Sequence, residues 1–137
     1  MKKQKAKKTR IGISNYPIGD FFIRVKNAAM IDKREVVLPS TKHIKAAAAA
    51  LKKSGFLEDF LEKDKTLTVH PAFRHKEPVL MGLRIVSRPG LRIYMGVRDI
   101  EKKRGPSIFL LSTPQGIISS KDALKLRSAG EVLVEVW

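Results

Sequence analysis

The chain has 137 residues, 43% of them apolar, with no cysteine and 28 lysines and arginines against 13 acids, a formal net charge of +15. Without cysteine there are no disulfides and no thiolate metal sites, which fits a reducing compartment, and no apolar run approaches the ~20 residues of a membrane span. So much positive charge is kept where the partner is a polyanion. Nucleic acid suits it better than a membrane surface, because every apolar helix stripe has a core to join.

Residues 1–13 carry Lys2, Lys3, Lys5, Lys7, Lys8 and Arg10 and no acid. Charges this dense repel one another and build no core, so the segment reads as a disordered tail that orders on an anion, or else as a solubility tail. No apolar stretch follows the charges as a secretory signal requires, and transit peptides favour arginine and serine over lysine. Pro17 then opens a helix whose Ile18, Phe21, Phe22 and Val25 share one face, extended by Ala28 and Ala29. Arg24, Lys26 and Asn27 point elsewhere. Residues 35–38 form a short strand ended by Pro39. Thr41 caps a second helix with Ile44, Ala47, Ala48 and Leu51 inward, stopped by Ser54-Gly55. Residues 56–61 and 66–70 pair as a hairpin around Lys63-Asp64-Lys65.

The polar, proline-bracketed stretch 71–78 marks a boundary, dividing the chain into the tail (1–13), an α/β unit (14–72) and a β-rich unit (73–137). In the last unit, strands at 79–86 and 91–97 flank a Pro89-Gly90 turn, residues 98–104 make a short helix or loop, and 108–111 is a buried strand. Ser119 or Ser120 caps a helix from Lys121 to about Ser128. In the final strand Val132, Val134 and Val136 share one face, and Glu131, Leu133, Glu135 and Trp137 the other. The fold class is α+β, with an N-terminal α-β-α-β-β unit and a C-terminal unit that is mostly antiparallel β with one short helix.

Little of this chemistry is catalytic. His43, His70 and His75 have neither a helical His pair nor a carboxylate cluster, so they read as surface histidines rather than catalytic or metal-binding groups. Ser112 and Thr113 lie outside any Gly-x-Ser-x-Gly elbow, and no Gly-x-x-x-x-Gly-Lys phosphate loop occurs. No cofactor and no small-molecule substrate is implied. The uncharged run Ser112-Thr113-Pro114-Gln115-Gly116 admits two readings. It is a strand-ending turn, or it is a loop whose neutral donors and acceptors read RNA by shape and 2′-hydroxyls, where lysines would bind any phosphate.

At these residues the chain resembles the ribosomal protein S-eight family of the small subunit, from about Tyr16 to Trp137. The matching segments are Pro-Ile-Gly-Asp from Pro17, Arg-Val-Lys-Asn-Ala from Arg24, Leu-Pro-Ser-Thr-Lys from Leu38 and Gly55-Phe56. Arg-Pro-Gly-Leu-Arg-Ile-Tyr from Arg88, Ser-Thr-Pro-Gln-Gly from Ser112, and Gly-Glu with the terminal Val-Trp complete them. The resemblance implies a two-part protein that binds 16S-type small-subunit rRNA and supports subunit assembly beside neighbouring small-subunit proteins. It implies a ribosome of the cytoplasm or of an organelle, and no membrane. The RNA contacts it implies are the loop Ser112, Thr113, Pro114, Gln115 and Gly116, with Glu131, Tyr94, Arg88 and Arg92 beside it. Arg24, Asn27, Thr41 and Lys42 supply backbone contacts from the first half, and the basic tail adds charge. The chain departs from the family at Tyr16, where Asp is usual, so Ser14, Asn15 or water must cap the first helix. It departs again at Pro114, in place of a third hydroxyl, at Ala129 of Ala129-Gly130, and at the helix start Ser119-Ser120-Lys121-Asp122-Ala123. A free-standing RNA-binding regulator that recognises a structured mRNA hairpin is the alternative reading.

Overall fold

The computed structural model describes residues 16–137. The basic tail, with Lys2, Lys3, Lys5, Lys7, Lys8 and Arg10, lies outside the described residues, as do the capping candidates Ser14 and Asn15. Helix α1, Pro17–Met30, starts from Tyr16 with no side-chain cap; Pro17 occupies the first turn, where a missing N–H costs nothing. It buries Ile18, Phe21, Phe22, Val25, Ala28 and Ala29, the stripe that its spacing predicts. Strand β1, Val36–Pro39, follows. Helix α2, Lys42–Lys53, is capped by Thr41, whose hydroxyl accepts the Ile44 N–H at 3.1 Å. Gly55 leaves it with φ +91°, the left-handed conformation that suits glycine. Strands β2, Leu57–Lys63, and β3, Thr66–Pro71, form the expected hairpin. Its turn residues Asp64 and Lys65 have φ of 53° and 62°, the pair of positive angles that matches strand twist in two-residue hairpins.

The stretch between the proline brackets is itself a hairpin, β4 (Phe73–Arg74) with β5 (Glu77–Pro78), turning through His75 and Lys76 at positive φ. The long strands predicted at 79–86 and 91–97 contract to β6, Leu83–Ile85, and β7, Tyr94–Met95. Two local structures interrupt them. The Arg88 and Leu91 backbones bond each other across Pro89-Gly90, and at the other end Gly82 and Trp137 exchange both backbone bonds while Met81 also donates to the Trp137 carbonyl, which ends the run there. Then come α3, Val97–Lys102, β8, Ile108–Thr113, β9, Gly116–Ser119, α4, Ser120–Leu126, and β10, Gly130–Val136. Ser119 caps α4 by accepting the Asp122 N–H. Strand β9 is not among the elements that the sequence predicts, where the Ser112 loop leads directly to a helix cap. Two isoleucines between Gly116 and Ser119 are too few for periodicity to show.

The strands make two main antiparallel sheets, β1-β3-β2 and β6-β10-β8-β9, with β7 also beside β10. Helices α1 and α2 cover one face of the first sheet, and the core they enclose continues through Leu83, Leu110, Leu133, Val134 and Val136. A smaller core gathers Ile100, Leu111, Ala123 and Val132 on the other side of the second sheet. The predicted facing of β10 is corrected here. Its register against β8 slips between Val132 and Val134, so Val132 opposes Leu111 while Val134 opposes Leu110. Adjacent residues of β8 point to opposite faces, so the bulge sends Val132 to the smaller core and Val134 and Val136 to the larger one. Glu131 and Glu135 accordingly leave the strand on opposite faces rather than sharing one.

Candidate nucleic-acid interface

Strand pairing sets the geometry of the candidate site. Glu131 on β10 lies opposite Tyr94 on β7 and opposite Ser112 on β8, so the three side chains form one row across three strands. Tyr94 is 69% exposed. The Ser112 hydroxyl has no hydrogen-bond partner among the described residues and remains available to a ligand. Glu131 is mostly buried and receives a hydrogen bond from Arg92 Nη1 at 3.1 Å. That carboxylate holds the Arg92 guanidinium above its usual pKa and fixes the direction of its fork. Arg92 also lies over the Tyr16 ring, 5.7 Å from its centroid. Burial, and then the Glu131 charge, raise the Tyr16 phenol.

The five-residue run read as a single loop is divided by the fold. Ser112 and Thr113 end strand β8, Pro114 and Gln115 form the turn, and Gly116 opens β9 with φ +108°. Consecutive strand residues face opposite ways, so Ser112 joins the row and Thr113 does not. Thr113 spends its hydroxyl on the turn, donating to the Gly116 carbonyl at 2.9 Å and accepting the Gln115 N–H at 3.1 Å. The buried Ser128 hydroxyl donates to the Gln115 side-chain oxygen, tying the turn to the segment before β10. Gly130 lets the strands close. A Cβ there would clash with the Ser112 carbonyl oxygen and would lie 2.9 Å from both its carbon and Thr113 Cγ2.

The arginines flank this row. Arg88 and Arg92 are both exposed on the loop between β6 and β7. Ser87 holds that loop shut: fully buried, it accepts the Ile93 N–H at 2.9 Å and donates to the Ile93 carbonyl at 3.3 Å. Ser87 is not among the residues that the sequence singles out. The one signal was a lone hydroxyl among apolar residues just before Arg-Pro-Gly. From α1, Asp20 reaches a shallow cleft shared with Tyr16, Arg88 and Pro89, and Arg24 pairs with Asp20 at 3.2 Å and donates to the Val37 carbonyl. Asn27 is exposed one turn further along. Thr41 and Lys42 sit at the start of α2 in neither grouping, and the Thr41 hydroxyl is committed to its cap. Of the histidines, His43 is exposed, His75 turns a hairpin, and His70 lies 3.5 Å from Glu35. Among the described residues no group of three or more His, Asp or Glu side chains could hold a metal, and no helix is long and apolar enough to cross a membrane.

A family model described as "Ribosomal protein S8" matches residues 16–137. The chain is 38% identical over 130 residues to the small ribosomal subunit protein uS8 of Chloroflexus aggregans, covering 90% of this chain and 98% of that protein. Against uS8 of Roseiflexus castenholzii it is 39% identical over 129 residues, with the same coverage. Against uS8 of Nitratidesulfovibrio vulgaris it is 34% identical over 122 residues, covering 88% and 97%.

Proposed function

The chain belongs to the ribosomal protein S8 family of the small ribosomal subunit, and from that premise we propose that it binds small-subunit, 16S-type rRNA and supports subunit assembly in the cytoplasmic ribosome. The observation that carries this reading is the row Tyr94–Glu131–Ser112, with Arg92 locked beside it. An exposed aromatic ring offers a stacking surface, a free hydroxyl offers a donor and acceptor, and the oriented arginines supply charge. Phosphate contacts from Arg88, Arg92 and Lys42 position the RNA, and the neutral groups of the row supply selectivity. Glu131, an acid beside a polyanion, acts by aiming Arg92 and accepting a hydrogen bond from the RNA.

The test is paired titration of a small-subunit rRNA fragment and a scrambled RNA at one salt concentration. Glu131→Gln keeps the shape and makes the protein more basic. It should nevertheless weaken the cognate complex by about 1–3 kcal/mol and leave the scrambled one nearly unchanged. Tighter binding to both would make Glu131 a repulsive bystander and remove the row from the interface.

A further inference from the structure

Among the described residues nothing covers one face of the three-stranded sheet. Its helix side buries Val36, Leu38, Leu67 and Val69. On the outer side the register aligns Val37, Thr68 and Leu61 in one row across β1, β3 and β2. Val37 and Leu61 are 55% and 63% exposed. The next row sets His70 against Asp59, with the Glu35 carboxylate 3.5 Å from His70. At that end Glu58, Asp59, His70 and Pro71 line a shallow cleft together with Arg34, whose guanidinium lies over the Phe73 ring, 3.7 Å from its centroid. Residues 57–64 hold four acids and one lysine in a chain of net charge +15. Lys45 and Lys52 on α2 take up Glu62 and Asp59, but Glu58 has no partner among the described residues.

An aliphatic strip with a carboxylate rim is the part of this surface that a phosphate backbone is repelled from, and its charge is complementary to a basic polypeptide. We propose that this face docks a basic protein segment. An aliphatic or aromatic side chain of that segment sits on Val37–Thr68–Leu61, and a lysine or arginine enters the cleft at Glu58 and Asp59. This docking rests on the reading that the chain assembles into small subunits, and on neither the Glu131 row nor the arginine loop.

Because the chain has no cysteine, Thr68→Cys carries one benzophenone label on the full-length protein, which is assembled into small subunits and irradiated. The expected product is a ribonuclease-resistant adduct to a lysine- and arginine-rich protein. Glu58→Lys with Leu61→Lys should reduce that adduct at least five-fold, while the titration against the rRNA fragment stays the same or tightens. Melting curves check that both variants fold. A ribonuclease-sensitive adduct, an adduct to this chain's own residues 1–13, or no adduct in subunits shown to contain the labelled chain would each overturn the proposal.

Discussion

Replacing Gly130 by Ala should damage the interface through the backbone alone. The added methyl carbon would lie 2.9 Å from the Ser112 carbonyl carbon and from Thr113 Cγ2, and closer still to the Ser112 oxygen. Carbon atoms rest comfortably at about 3.5 Å or more, so β10 and β8 must separate by roughly 0.6 Å at this point, and by more at the oxygen. The obstacle is mostly ladder backbone rather than the end of a flexible side chain. The cost therefore belongs at the upper end of overpacking, about 3 kcal/mol, with about 1 kcal/mol more if one ladder hydrogen bond is lost. For a domain of this size each kcal/mol moves Tm by roughly 3–5 °C, so a fall on the order of 10 °C is expected by calorimetry. The same displacement moves Ser112 away from Glu131, and cognate RNA affinity should fall at 25 °C where the variant is still folded. Gly90→Ala is the control. Nothing lies within 4 Å of its added carbon, and it should shift stability by less than about 0.5 kcal/mol. If Gly130→Ala melts within about 2 °C of the parent, the close approach of the two strands is not what keeps glycine there.

Ser112 and Thr113 should separate cleanly despite being neighbours. Ser112→Ala should weaken cognate RNA by about 1–3 kcal/mol with an unchanged melting curve, whereas Thr113→Val should lower stability by about 1–2 kcal/mol through loss of both turn bonds; the reverse pattern would return Thr113 to the RNA-facing surface. Glu135 has a lowered pKa, first because Ser107 donates to it and then because Arg84 does. A carboxyl depressed in the fold stabilises it above the unfolded pKa of about 4.3 and loses that contribution as pH falls toward the folded value, so Glu135→Gln should flatten Tm against pH only below about 4.3. Deleting residues 1–13 should flatten log K against log salt by ~0.7–0.9 for each phosphate that the tail neutralises, without changing the preference for cognate over scrambled RNA; an unchanged slope would leave the tail outside the complex.

The helices were legible because their signals are local and redundant. In α1 a proline start and an apolar stripe agree, and in α2 a threonine cap, an alanine run and a Ser-Gly stop agree. The hairpin of β2 and β3 was legible for the same reason. What escaped depends on interactions between distant residues. Leu133 alternates perfectly on paper, yet the bulge beside it exists because β10 must serve two cores at once. Strand β9 is four residues long and gains its identity from β8. The role of Glu131 in aiming Arg92 joins residues 39 apart, which no window along the chain contains. Likewise the two hydroxyls of Ser112-Thr113 look equivalent in sequence, and only the pleat ties one into the turn and leaves the other without a partner among the described residues.

The placement of β10 has a consequence for how the chain reaches its fold. It is the last strand of its sheet to be synthesised, and it pairs with β6, β7 and β8 together. Until β10 is in place, β6 and β7 have no partner in that sheet and β8 has only β9. The nascent chain at that stage presents open strand edges, the species most exposed to misassembly. Closure then pairs β10 with β6 some fifty residues back, a non-local step with a large loop-closure cost. In the first half only the β2–β3 hairpin pairs near neighbours, β1 reaching β3 across about thirty residues; the core beneath that sheet is completed by Leu133, Val134 and Val136, and the surface that carries the Tyr94–Glu131–Ser112 row comes into existence only once β10 has paired.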